Sequence, residues 1–150
     1  LLTGPQGESL SKRLGTLSLR DLREAGVEPM ALLSLMARLG SSQPVELRGS
    51  IDEIAEGFDI SQFGSAPTKF DEQDLYPLTA RVLGEQDLAG VADEVAAAGV
   101  PAELAEQFWT VVRENITTRK DIALWWDLFA NGAEQLAKQS KASLFALMFR

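Results

Sequence analysis

Beyond residue 15 the apolar positions recur at helical spacing, and polar punctuation divides the chain into short helices. Ser18 followed by Asp21 predicts a capped helix start, and Gly26 closes that helix. Pro29 suits a first helical position, and Met30, Leu32, Leu33, Leu35, Met36 and Leu39 then form an apolar surface broad enough to predict burial on most sides, ending at Gly40. Ser41, Ser42 and Pro44 mark a loop, and Ser50 with Glu53 opens a further helix that fades near Gly57. The stretch from Phe58 to Lys69 reads as irregular, with Gly64 and Pro67 as breakers. Asp71 caps a helix expected to run to about Leu83 and to bend at Pro77, where a backbone donor is missing. Asp87 to Ala98 predicts an Ala-rich helix ended by Gly99. Pro101 begins another, carrying Leu104, Phe108, Trp109 and Val112. Thr117 or Thr118 caps the next, which holds Ile122, Trp125, Trp126 and Phe129 and stops at Asn131-Gly132. A last amphipathic helix is expected from Ala133 to Phe149.

The first fifteen residues differ. Gly4-Pro5-Gln6-Gly7 is a turn signal, because Pro presets φ and Gly admits positive φ. Extended pieces at Leu1 to Thr3 and Glu8 to Leu10 predict a small hairpin or loop around it. No strand pattern and no internal repeat follows. The expected fold is mainly α, a helical-bundle architecture with a short N-terminal β or loop element.

Composition narrows the possible chemistry. With 45% hydrophobic residues and mean hydropathy of -0.03, the chain reads as a globular domain able to bury a core. No run approaches the roughly 20 apolar residues that span a bilayer; the longest, Met30 to Ala37, is broken by Ser34. The opening Leu1-Leu2-Thr3-Gly4 has neither an initiator Met nor a basic leader, so the chain is expected to begin partway through a longer protein, and the cytoplasm is the expected compartment. Cys and His are both absent, which removes disulfides, thiol and imidazole catalysis, and Cys/His metal sites. No D-x-D-x-D-G loop stands in for them, and no metal site is expected.

The net charge of -8 opposes indiscriminate nucleic-acid binding, but its distribution changes the picture. Residues 1–48 carry six basic and five acidic side chains, residues 49–110 two and thirteen, and residues 111–150 six and four. The acid is concentrated in the middle, and both ends remain available to a polyanion. A solvated helical surface accounts for the acidic middle equally well.

Ser9-Leu10-Ser11-Lys12-Arg13, after the Gly-Pro-Gln-Gly turn, is the one constellation with chemical meaning. A small loop carrying adjacent cations and hydroxyls can fold over a triphosphate and offset charge that develops as pyrophosphate leaves. An ordinary solvated loop is the plainer reading of the same residues.

In this sequence "GPQGESLSKRLG" resembles the G-P-D-G-K-K-L-S-K-R segment that glutamyl-tRNA synthetases use as their version of the class I K-M-S-K-S signature. The similarity continues through "LSLRDLREAGVEPMALLSLMARLG", and "FDISQFGSAPTKFD" looks like the family's F-D-[LI]-S-x-[FI]-x-x-A-P-x-K-F-D stretch. It persists more weakly through "AEQFWTVVRENITTRKDIALWW". The resemblance implies the carboxy-terminal, tRNA-contacting part of a bacterial-type enzyme that uses ATP and Mg²⁺ to join glutamate to tRNA(Glu) through a glutamyl-adenylate. It implies a monomer with no membrane partner. It also divides the chain: residues 1–15 as the tail of the catalytic domain with the signature loop, 16–69 as a stem-contact helical region, and 70–150 as part of an anticodon-binding bundle.

By the same resemblance Lys12 would stabilise the adenylation transition state, with Ser11 and Arg13 shaping the loop around ATP; Ser9 stands where the family has its first Lys. The family's H-I-G-H-type element cannot lie in a chain without His, so these residues alone should not aminoacylate. Arg20, Arg23 and Arg38 become candidates for contacts to the tRNA backbone. Arg113, Arg119 and Lys120 become candidates at a helix corner facing unpaired bases. Asn115 falls where many family members carry an Arg that monitors the third anticodon base, which leaves open a parent that charges both tRNA(Glu) and tRNA(Gln). After Asn131-Gly132 the family's expected W-x-x-W and R-K-G-K-like elements are missing, so truncation or a divergent last helix is expected. Trp109, Trp125 and Trp126 read as core, with one of the adjacent pair pointing elsewhere. A noncatalytic acidic helical module that binds a protein partner is the competing class.

Overall fold

The computed structural model describes residues 2–8 and 18–132. The chain forms two compact units. The first holds Leu1–Gln86 together with Ile116–Arg119, and the second holds Asp87–Asn115 and Lys120–Arg150.

In the first unit, β1 (Leu2–Thr3) pairs in parallel with β2 (Thr68–Lys69), and the Phe70 N–H extends the ladder to the Thr3 carbonyl at 2.8 Å. The expected turn at Gly4 to Gly7 is present, closed by the Gly7 N–H on the Gly4 carbonyl at 2.9 Å. The strand after residue 15 was not foreseen, because two residues carry no alternation to read. The expected hairpin partner Glu8 to Leu10 falls largely outside the described residues.

Helix α1 (Leu19–Ala25) has the complete capping box: the Asp21 N–H donates to Ser18 Oγ at 3.2 Å, and the Ser18 N–H donates to the Asp21 carboxylate at 2.7 Å. It ends in a Schellman arrangement, with Gly26 left-handed at φ 90° and the Val27 N–H reaching the Leu22 carbonyl at 3.0 Å. Helix α2 (Pro29–Met36) starts on Pro29 as expected. It is less enclosed than its composition suggests, since Leu33 and Met36 are 39% and 41% exposed. Its buried face meets α4 (Leu75–Gly84), and Leu22, Val27, Ala31, Leu35, Leu75 and Leu78 form the core there. Between them in the chain lies α3 (Ile51–Glu56), whose cap differs in one detail: Ser50 Oγ accepts from the Glu53 N–H, while the Glu53 carboxylate accepts from Gly49 rather than Ser50.

Pro77, expected to bend a helix starting at Asp71, does not fall in the interior of a helix. Asp71 caps a 3-10 turn at Glu72–Asp74, and α4 proper begins at Leu75, so Pro77 falls in its first turn, where no intrahelical donor is needed.

The second unit opens with a 3-10 turn at Leu88–Val91 capped by Asp87, so the Ala-rich helix is shorter than expected: α5 spans Ala92–Ala97. Helix α6 (Ala102–Val112) follows, then a 3-10 turn at Arg113–Asn115, and residues 121–132 are helical (α7). Helix α7 thus begins after Lys120 rather than beside Thr118, and Asn131-Gly132 are still helical. Trp109 is 1% exposed in the core of this unit. Trp126 lies edge-on to Phe108 at 5.5 Å, and Trp125 lies 6.2 Å from Phe129. The helix expected from Ala133 onward lies outside the described residues. No helix of the described residues is long and apolar enough to cross a membrane.

Candidate nucleic-acid interface

Of the side chains singled out by sequence, Ser9, Ser11, Lys12 and Arg13 lie outside the described residues. The others sort by what already holds them.

Arg20 and Arg23 are exposed on α1, three residues apart and therefore on neighbouring positions of one side. The capping box sets the start of that helix. Its Asp21 carboxyl lies below the usual carboxylate range because the Ser18 N–H and then the Ser18 hydroxyl donate to it, with Arg20 adding a smaller push in the same direction. Arg23 sits in the last turn of α1 and borders an open depression that also involves Leu19, Pro29, Leu33 and Arg119.

Arg38 is half-buried, and its Nη1 donates to the Gly57 carbonyl at 3.1 Å. It therefore caps the C-terminal end of α3 with a cation, a favourable placement for the helix dipole. Arg48, which sequence reasoning passed over, lines the same recess between α2 and α3 and pairs with Glu46, while its N–H donates to the buried Ser34 hydroxyl at 3.1 Å. Its flanking loop carried no motif to mark it.

Arg119 is bound most tightly of all. Its Nε donates to Glu28 Oε1 at 2.7 Å and its Nη2 to Oε2 at 3.3 Å, a two-pronged pair spanning 91 positions of sequence. The Glu28 side chain is 10% exposed and that of Arg119 28%. The Glu28 N–H in turn donates to Thr79 Oγ1 on α4 at 3.2 Å. Sequence spacing offers no signal for such a pair.

In the second unit, Arg113 ends α6, with Nε 3.8 Å from Glu114 Oε1; that Nε is buried and has no hydrogen-bond partner among the described residues. Asn115 is exposed, and its Nδ2 donates to the Val111 carbonyl at 3.1 Å, closing the end of α6. Lys120 is exposed. The structure thus gives Arg119 to the first unit and Arg113, Asn115 and Lys120 to the second. An apolar groove between α6 and α7 is lined by Leu104, Phe108, Val111, Trp126 and Phe129. Among the described residues no three acidic side chains are placed to hold a metal.

This arrangement of short capped helices is found in a solved aminoacyl-tRNA synthetase. The fold is similar to part of the crystal structure of a glutamate tRNA ligase from Elizabethkingia meningosepticum in complex with its amino acid, with a TM-score of 0.70 and 23% identity, over 86% of this chain and 31% of that one. No family model matches the chain. Curated sequences carry the relationship further. The chain is 64% identical over 149 residues to glutamate–tRNA ligase 2 of Dinoroseobacter shibae, covering 99% of this chain and 34% of that protein. It is 70% identical over 134 residues to glutamate–tRNA ligase 1 of Roseobacter denitrificans, covering 89% and 30%. The chain belongs to the glutamyl-tRNA synthetase family, as a carboxy-terminal part that spans about a third of the length of the curated relatives it matches.

Proposed function

We propose that this chain is the tRNA-binding part of an enzyme that ligates L-glutamate to tRNA(Glu) with ATP and Mg²⁺ in the cytoplasm, and that these 150 residues do not aminoacylate alone. The observation that carries the proposal is 64% identity along 99% of the chain to a glutamate–tRNA ligase. Residues 1–15 would bring Ser9, Ser11, Lys12 and Arg13 to the ATP phosphates, where their cations and hydroxyls suit a departing pyrophosphate. Residues 16–69 would meet the tRNA stem and residues 70–150 the anticodon.

Exposure and charge support Arg20 and Arg23 as the leading backbone contacts and Lys120 as a third. Arg38 and Arg113 are partly engaged within the protein, which favours a shared role in shaping and contact. Asn115 offers an uncharged amide where a base edge is to be read, which would admit tRNA(Gln) as a second substrate of the parent.

Binding of the chain to transcribed glutamate, glutamine and unrelated tRNAs at two salt concentrations tests this. Preferential, salt-sensitive binding to the glutamate tRNA is expected. Replacing Arg20 and Arg23 by Ala should lower the slope of log affinity against log salt by roughly 0.9 for each phosphate that is no longer neutralised. Equal binding to glutamate and glutamine tRNAs would assign the relaxed specificity. Folded protein that ignores all three RNAs refutes the proposal.

A further inference from the structure

We propose that Glu28 and Arg119 are positioning residues for tRNA, pinning a segment of the first unit from which the chain leads into the second unit at both ends; this rests on the tRNA-binding function proposed above. Ile116–Arg119 belongs to the first unit, yet residues of the second unit flank it on both sides in the chain. The chain therefore passes between the units at both ends of this segment, as well as at Gln86–Asp87, so RNA held by the second unit is linked to the first through it at two of three crossings.

The segment is built into the first unit at three points. Ile116 is 3% exposed. Thr118 is 8% exposed and lies so close to Gly26 that a Cβ there would stand 3.0 Å from the Thr118 Cβ. Arg119 closes the arrangement on Glu28, which also joins α2 to α4 through Thr79.

The first two contacts bury the segment. The third fixes its direction, because a planar guanidinium on a carboxylate is held by two parallel bonds, whereas an ammonium gives only a point charge. Two sites on one chain bind a rigid ligand together only when the link holds them at a workable separation, so loosening the link lowers affinity without removing any RNA contact. Arg119 would then promote RNA binding while its guanidinium stays on Glu28, and its replacement would not change the number of phosphates neutralised.

The experiment compares the full chain with Glu28→Gln, Arg119→Lys and Leu78→Ala. Two readouts are used: affinity for transcribed glutamate tRNA across a salt series, and hydrogen exchange of the 116–119 amides without RNA. Leu78→Ala weakens the core of the first unit and leaves the ion pair intact, so it reports what instability alone does. Glu28→Gln and Arg119→Lys are each expected to reduce affinity roughly fivefold or more with an unchanged salt slope, and to speed exchange at 116–119 beyond any change in Leu78→Ala. Unchanged or tighter binding by Glu28→Gln would show that the ion pair does not position the RNA and would overturn the proposal. Exchange at 116–119 that follows Leu78→Ala in all three variants would also overturn it. If the unaltered chain binds no tRNA, the function itself fails and the positioning role falls with it, an outcome distinct from wild-type binding that the variants leave intact.

Discussion

Replacing Gly26 by Ala should destabilise the first unit through two separable effects. At φ 90° the residue is left-handed, and an L side chain there costs about 1–2 kcal/mol. The new Cβ would also lie 3.0 Å from the Thr118 Cβ, inside the roughly 3.5–4.0 Å at which carbon atoms rest. Thr118 is buried, so the overlap forces a shift of packed backbone, at about 1–3 kcal/mol. The sum is about 2–5 kcal/mol. Gly99 is the natural control: its φ is 84°, but a Cβ there would meet nothing closer than Trp126 Nε1 at 3.9 Å, so only the first effect applies. Urea unfolding followed by far-UV circular dichroism reports both units. Tryptophan fluorescence reports the second, which holds Trp109, Trp125 and Trp126. In a Thr118→Gly background the excess cost of Gly26→Ala over Gly99→Ala should shrink, because the opposing carbon is gone. A Gly26→Ala variant that loses no more stability than Gly99→Ala would refute the close-packing account of this turn.

Three further outcomes follow from the same structure. Leu75→Ala removes a fully buried side chain where α4 meets α2 and should cost about 2–5 kcal/mol in urea unfolding, with the tryptophan signal of the second unit least affected. Ser18→Ala removes the hydroxyl that accepts from the Asp21 N–H and donates to the Asp21 carboxylate. Because the folded Asp21 pKa is depressed, its stabilisation is present above the ordinary carboxylate pKa and is lost as pH falls through the folded value, so the variant should show a shallower acid limb and an NMR-detected Asp21 titration moved up toward normal. Pro77→Ala should change stability by less than about 1 kcal/mol and leave helix content unaltered in circular dichroism, since the position lies in the first turn of α4 and breaks no helical hydrogen bond.

What the sequence revealed and what it concealed divide by range. The caps at Ser18, Ser50 and Asp71 and the stop at Gly26 were legible, because each is a side chain or glycine acting on backbone within a few residues. The helical class followed from periodicity that repeats across many turns. The β1–β2 pairing was not legible: it joins two dipeptides 66 positions apart, as Leu2 opposite Thr68, with no pattern in either. Pro77 misled because the 3-10 turn before α4 moved the true helix start to within reach of it. At the candidate interface, exposure of Arg20 and Arg23 could be anticipated from their charge on a short helix that buries Leu22 alone. The engagement of Arg119 could not, since its partner Glu28 precedes it by 91 residues.

The interrupted makeup of the first unit bears on how the protein is made. Residues 116–119 complete a body whose other described elements all precede residue 87, so the intervening stretch must leave the ribosome before the first unit can close. Synthesis at roughly 5–20 residues per second makes that a wait of seconds, far longer than helix or hairpin formation. During it the nascent α1–α2 turn would present Gly26 and the Glu28 carboxylate to water without their eventual neighbours. A stalled chain released before residue 116 would carry the helices of the first unit and lack the piece that locks them, which makes that interval the window in which chaperones and proteases have access to it.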